Sequence, residues 1–61
     1  MYIKNFVNDA GELMAKIPKN LEKEFLEKFP NAKFNGLGRF WVVPAGDVEL
    51  AQQWIDEIQG R

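Results

Sequence analysis

The sequence predicts an α+β domain of order β-β-α-β-β-α, with four strands in one largely antiparallel sheet and both helices on one face of it. Three observations carry this. Two stretches have the apolar spacing of an amphipathic helix, and each follows a proline by a few residues. A pair of β-prone runs joined by a Gly-bearing turn stands ahead of each helix. The same pattern occurs twice along the chain.

The elements follow in order. Residues 2–7 and 12–17 are β-prone and flank Asn8-Asp9-Ala10-Gly11, whose Asn, Asp and Gly suit a reversing loop with φ > 0 at its end. Pro18, which has no N–H for a ladder hydrogen bond, stops the second strand. Over residues 21–29, Leu21, Phe25 and Phe29 recur at i, i+4 and i+8 with Leu26 beside them. Asn20 is the expected N-cap, and Glu24 with Lys28 and Lys23 with Glu27 have the i,i+4 spacing of solvent-side pairs. Pro30 disfavours helical geometry at Phe29 and ends this helix. Residues 32–35 and 39–43 flank Gly36-Leu37-Gly38 as a second hairpin, and Pro44 closes it. The second helix follows Asp47, the expected N-cap, with Glu49 placed favourably in the first turn. Val48, Leu50, Ala51, Trp54, Ile55 and Ile58 fall on an arc of ~160°, and Gly60 is the natural stop.

Superposing the halves reinforces this order. An offset of 26 carries Leu13, Ala15, Ile17 and Pro18 onto Arg39, Trp41, Val43 and Pro44, and an offset of 29 carries Leu21, Phe25, Leu26 and Phe29 onto Leu50, Trp54, Ile55 and Ile58. The chain reads as an internal duplication or as two short patterns that coincide, and the order of elements is the same either way. Both helical stripes are buried most economically against one sheet face. Leu13, Ala15 and Ile17 then face the helices together with Trp41 and Val43, leaving Met14, Phe40 and Val42 on the other side. That second side is either draped by long side chains such as Lys16 and Arg39 or used as a contact surface.

Composition narrows the function. The 61 residues form one domain, 1–61, with 8 Lys+Arg, 9 Asp+Glu and a net charge of −1. A chain of this size buries only about 60% of the surface that its unfolded form exposes. It has no Cys and no His to add disulfides or a thiolate or imidazole metal site. Ser and Thr are absent as well, so nucleophilic catalysis lacks its usual groups, and we expect neither an enzyme nor a bound cofactor or metal. Gly36-Leu37-Gly38 is not a phosphate loop: position 41 is Trp, and a strand rather than a helix follows. No run reaches the ~18 apolar residues of a membrane span, and Met1-Tyr2-Ile3-Lys4-Asn5 does not begin a leader, so the expectation is a soluble, cytoplasmic protein without a membrane partner. Charge is unevenly placed: residues 45–60 carry Asp47, Glu49, Asp56 and Glu57 and no base.

Two resemblances bear on function. Phe29-Pro30-Asn31-Ala32-Lys33-Phe34-Asn35-Gly36, followed by Phe40-Trp41-Val42-Val43-Pro44 and an apolar helix, resembles the HARP-type modules of annealing helicases and related phage helicases over residues 21–58. That resemblance implies DNA binding or strand annealing, carried by Lys33, Arg39 and Trp41. In format, a small cysteine-free domain with an acidic helix resembles the inhibitors encoded by phages and mobile elements, such as anti-CRISPR proteins. This implies a viral protein that occludes a nucleic-acid-processing complex. Asp47, Glu49, Asp56 and Glu57 would mimic DNA phosphates, with Phe40 and Val42 as a second protein-binding patch. The inhibitor is the leading expectation and the HARP-like module the alternative.

Overall fold

Alternation sets the sheet. In the computed structural model, which describes residues 2–60, β1 (Asn5–Val7) and β2 (Leu13–Ala15) form the first hairpin, and β3 (Lys33–Asn35) and β4 (Phe40–Val43) the second. They assemble in the order β1-β2-β4-β3, antiparallel throughout. The register pairs Leu13 with Val43, Met14 with Val42 and Ala15 with Trp41. Side chains alternate across a strand, so Leu13, Ala15, Trp41 and Val43 share the inner face, and Met14, Phe40 and Val42 share the outer one, as the sequence predicts. The strands are three or four residues long, shorter than the β-prone runs, although pairing continues past β2 through the Lys16 N–H donated to the Lys4 carbonyl at 2.9 Å.

Both hairpin turns use Asn as the organiser. Asn8 Oδ1 accepts from the N–H groups of Ala10 (3.0 Å) and Glu12 (2.9 Å), and Gly11 takes the expected positive φ of +82°. In the second turn Asn35 Oδ1 accepts from the Leu37 N–H at 3.1 Å. Here the residue with positive φ is Arg39, at 57°, and not a glycine. Gly38 is required for another reason: a Cβ there would lie 2.7 Å from the Phe40 ring.

Two helices, α1 (Glu22–Lys28) and α2 (Val48–Gln59), cover the inner face. Their capping differs from expectation. Each is preceded by a 3₁₀ turn, Lys19–Leu21 or Ala45–Asp47, closed by the N–H of Leu21 to the Pro18 carbonyl and of Asp47 to the Pro44 carbonyl, both at 2.9 Å. The N-cap of α1 is therefore Leu21 and not Asn20. Asp47 does occupy the N-cap of α2, but at φ −107° and ψ 0° its side chain accepts no cap hydrogen bond. The reason is the proline-led turn, which holds the cap backbone near the helical region instead of the extended geometry that lets a side chain reach back. Phe29 leaves helical geometry (φ −128°, ψ 70°) just before Pro30. Gly60 caps α2 in right-handed geometry.

The two helix starts superpose at an offset of 26. Pro18 and Pro44 have φ,ψ of −59°, 146° and −57°, 150°, and Leu21 matches Asp47 at −108°, −4° against −107°, 0°. The offset of 29 read from the helical stripes is thus corrected by three residues. A shift of three residues is nearly one turn, which is why the apolar pattern tolerates it.

The buried core is entirely apolar among the described residues: Ile3, Leu13, Ala15, Ile17, Phe25, Phe29, Ala32, Val43, Ala51, Trp54, Ile55 and Ile58. Phe25 sits at its centre, its ring centroid 5.4 Å from Phe29 and 5.6 Å from both Trp41 and Trp54. Trp54 Nε1 donates to Glu24 Oε2 at 3.1 Å, tying α2 to α1. The Ile3 N–H donates to Gln59 Oε1 at 2.9 Å, tying the N-terminal segment to the end of α2.

Candidate functional site

With both helices on the inner face, the outer face of the sheet has no layer over it among the described residues. Its side chains follow from register. Phe6 pairs with Met14, Met14 with Val42 and Val42 with Lys33, which makes one row across all four strands. The next row continues the same pairings: Lys4 beside Lys16, Lys16 beside Phe40, and Phe40 beside Asn35. Phe6 and Phe40 meet edge to face above the sheet, centroids 5.4 Å apart and planes at 82°. Lys16 Nζ stands 5.1 Å from the Phe40 centroid, so part of the draping expected of Lys16 is present. It leaves the face open: Phe6 is 46% exposed, and Met14, Phe40 and Val42 are only half-buried.

The charge on this face is distinctive. Lys4 and Lys16 are neighbours on adjacent strands, an arrangement of like charges that disfavours the sheet unless an anion offsets it. Lys33 is exposed at the far edge, and Arg39 is exposed at the end of the hairpin. One carboxylate, Glu12, precedes β2 and accepts from Asn8 Nδ2 on its Oε1 at 3.3 Å. An open groove of about 730 Å³ runs beside β3 and β4, lined by Glu12, Asn31, Lys33, Asn35, Val42 and Pro44 with the hairpin residues Phe34, Gly36 and Leu37. Leu37 stands fully exposed at the hairpin tip.

The other candidate residues lie elsewhere. Trp41 is on the inner face, between Phe25 (5.6 Å) and Phe34 (5.3 Å), and its Nε1 is buried without a hydrogen-bond partner. It therefore belongs to the core side of the sheet and offers no stacking surface with Lys33. Glu49, Asp56 and Glu57 are exposed on α2, and Asp47 is half-buried at its N-cap. These carboxylates lie on the helical side of the sheet, so they do not form one surface with Phe40 and Val42. Phe6 and Lys4 were missed in the sequence. Their place on the outer face depends on the hairpin register, and the signal that finds them is the even-numbered alternation shared with Met14 and Lys16.

No described helix is long and apolar enough to cross a membrane, and no cluster of acidic side chains able to hold a metal occurs among the described residues. Comparison with protein-family models, with curated proteins and with solved structures finds no match to this chain.

Proposed function

We propose that this chain is a small non-enzymatic binding module whose outer sheet face takes single-stranded nucleic acid. The observation that carries the reading is the pairing of an exposed and a half-buried phenylalanine with three exposed lysines on one uncovered face: Phe6 and Phe40 in contact at 5.4 Å, bordered by Lys4, Lys16 and Lys33. Bases stack on aromatic rings whatever their sequence, and cationic side chains alongside track the phosphates. The Lys4–Lys16 neighbours gain most from an anion, because phosphate relieves their mutual repulsion. Glu49, Asp56 and Glu57 lie on the helical side, which keeps their repulsion away from a strand on the sheet. The resemblance to HARP-type modules supports the same class of ligand, with Lys33 as the position common to both arguments.

The occluding inhibitor of a nucleic-acid-processing complex is the second reading. Glu49, Asp56 and Glu57, all exposed on a helix that carries no base, favour it. The two readings need opposite signs of charge, so one experiment separates them. The parent protein and a Glu49→Lys/Asp56→Lys variant are titrated with single-stranded DNA at two salt concentrations. A nucleic-acid module binds in both forms, and more tightly in the variant. A phosphate mimic binds DNA in neither form.

A further inference from the structure

The second hairpin turn carries the one Asn-Gly pair of the chain, Asn35-Gly36, and both residues are exposed. Asn35 Oδ1 accepts the Leu37 N–H at 3.1 Å, which holds the side-chain amide folded back along the Gly36 peptide. The Gly36 N–H meets no acceptor among the described residues, and glycine has no side chain to shield that nitrogen. We infer that Asn35 is a site of spontaneous deamidation, and that the product places a negative charge on the outer face and lowers its affinity for a single strand. The modification follows from the turn alone, whereas its effect on affinity rests on the single-strand reading above.

The reaction consumes only water. The Gly36 nitrogen, after losing its proton to solvent, attacks Asn35 Cγ, so the rate rises with pH. The Leu37 N–H donates to Oδ1, the oxygen on which negative charge develops. The bond from Cγ to Nδ2 then breaks, and ammonia leaves with a proton taken from solvent, closing a five-membered succinimide. Water adds to either carbonyl of that ring and opens it to aspartate or isoaspartate, with nothing oxidised or reduced. Asn8 is the comparison within the chain. Its Oδ1 also accepts an N–H two residues on, from Ala10 at 3.0 Å, but the next residue is Asp9, whose side chain crowds the attacking nitrogen. The other asparagines, Asn5, Asn20 and Asn31, precede Phe6, Leu21 and Ala32. Either product puts a carboxylate beside the binding residues. Asn35 pairs with Phe40 on β4, and Lys16 of the facing β2 side stands over the same ring. One strand step is ~4.8 Å, inside the ~8 Å over which salt screens a charge, so the new carboxylate repels phosphate at Phe40 and offsets Lys16.

The test incubates the whole folded chain at neutral and mildly alkaline pH, beside the same chain in urea, and follows each asparagine by peptide mapping and mass spectrometry. Asn35 should gain one mass unit ahead of the other four asparagines, in the folded chain as well as in urea, and faster at the higher pH. Gly36→Ala should remove most of that lead without disturbing the turn, since an added Cβ would come no nearer than 4.0 Å to another atom. Asn35→Asp keeps the side-chain acceptor of the turn. It should bind single-stranded DNA more weakly than the parent, by a margin that closes as salt rises. An Asn35 that stays intact in the folded chain while the chain in urea loses it, or that lags behind Asn8, overturns the modification site. Equal DNA affinity of the parent and Asn35→Asp overturns the effect of the charge. A folded parent that binds no strand overturns the single-strand reading and with it the effect on affinity, while the mass spectra decide the modification independently.

Discussion

Ala15 and Trp41 face each other across the central strand pair, and each holds the same place in its own half of the chain, 26 residues apart. The pair therefore marks a pseudo-two-fold axis through the sheet, with one hairpin and one proline-led helix on either side of it. The two positions share one space unequally. Ala15 is fully buried and Trp41 spreads over the inner face against Phe25 and Phe34. Enlarging the small partner should overfill this site. Ala15→Leu is expected to cost ~1–3 kcal/mol, read as a lower midpoint in urea unfolding at unchanged slope.

Trp54 joins the layers in a different way. It packs 5.6 Å from Phe25 and 6.2 Å from Phe29 and hydrogen-bonds to Glu24. Trp54→Ala should cost ~3–5 kcal/mol, comparable to the whole stability of a domain this small. Circular dichroism should show the cooperative melt abolished or moved far down. A melt close to the parent would contradict the packing of α2.

The order of elements, the helical faces and the inner and outer sets of β2 and β4 were legible in the sequence because each depends on a period: 2 for strands and 3.6 for helices. The caps were not. Asn20 and Asp47 are good N-cap residues by type, but Pro18 and Pro44 each open a 3₁₀ turn that fixes the helix start without them. The site was half legible. Met14, Phe40 and Val42 follow from alternation along one strand, whereas Phe6 and Lys4 join them only through the β1–β2 register. Trp41, named for nucleic acid on the HARP-type resemblance, lies on the inner face of β4, where the alternation places it.

The turns give a prediction of their own. Arg39 holds φ at 57°, a region that L side chains adopt at a cost of roughly 1–2 kcal/mol, and glycine adopts freely. Arg39→Gly should stabilise the fold by ~0.5–1 kcal/mol, after allowing for the greater freedom of glycine in the unfolded chain. Gly11→Ala, at φ +82°, should destabilise it by about 1 kcal/mol. Paired thermal melts measure both.

Arg39 also bears on binding. It sits at the end of the hairpin and not within the row that joins Lys16 to Phe40. Arg39→Gly should lower single-strand affinity less than Lys16→Gln does, in a fluorescence-anisotropy titration at one salt concentration. The reverse ranking would move the phosphate path toward the hairpin tip.

The most direct test of the central claim is the salt dependence of single-stranded DNA binding by the parent protein beside a Lys4→Gln/Lys16→Gln variant and a Phe6→Ser/Phe40→Ser variant. The outer face contributes little to the buried core, so all three should fold, which their melts will verify. Binding by the parent should weaken steeply as salt rises. The lysine variant should bind more weakly with a slope shallower by about 1.4, roughly 0.7 for each phosphate that no longer meets a lysine. The phenylalanine variant should bind more weakly at an unchanged slope, since stacking releases no counterions. Absence of binding by the folded parent, or binding that neither pair of substitutions alters, would contradict the assignment of this face.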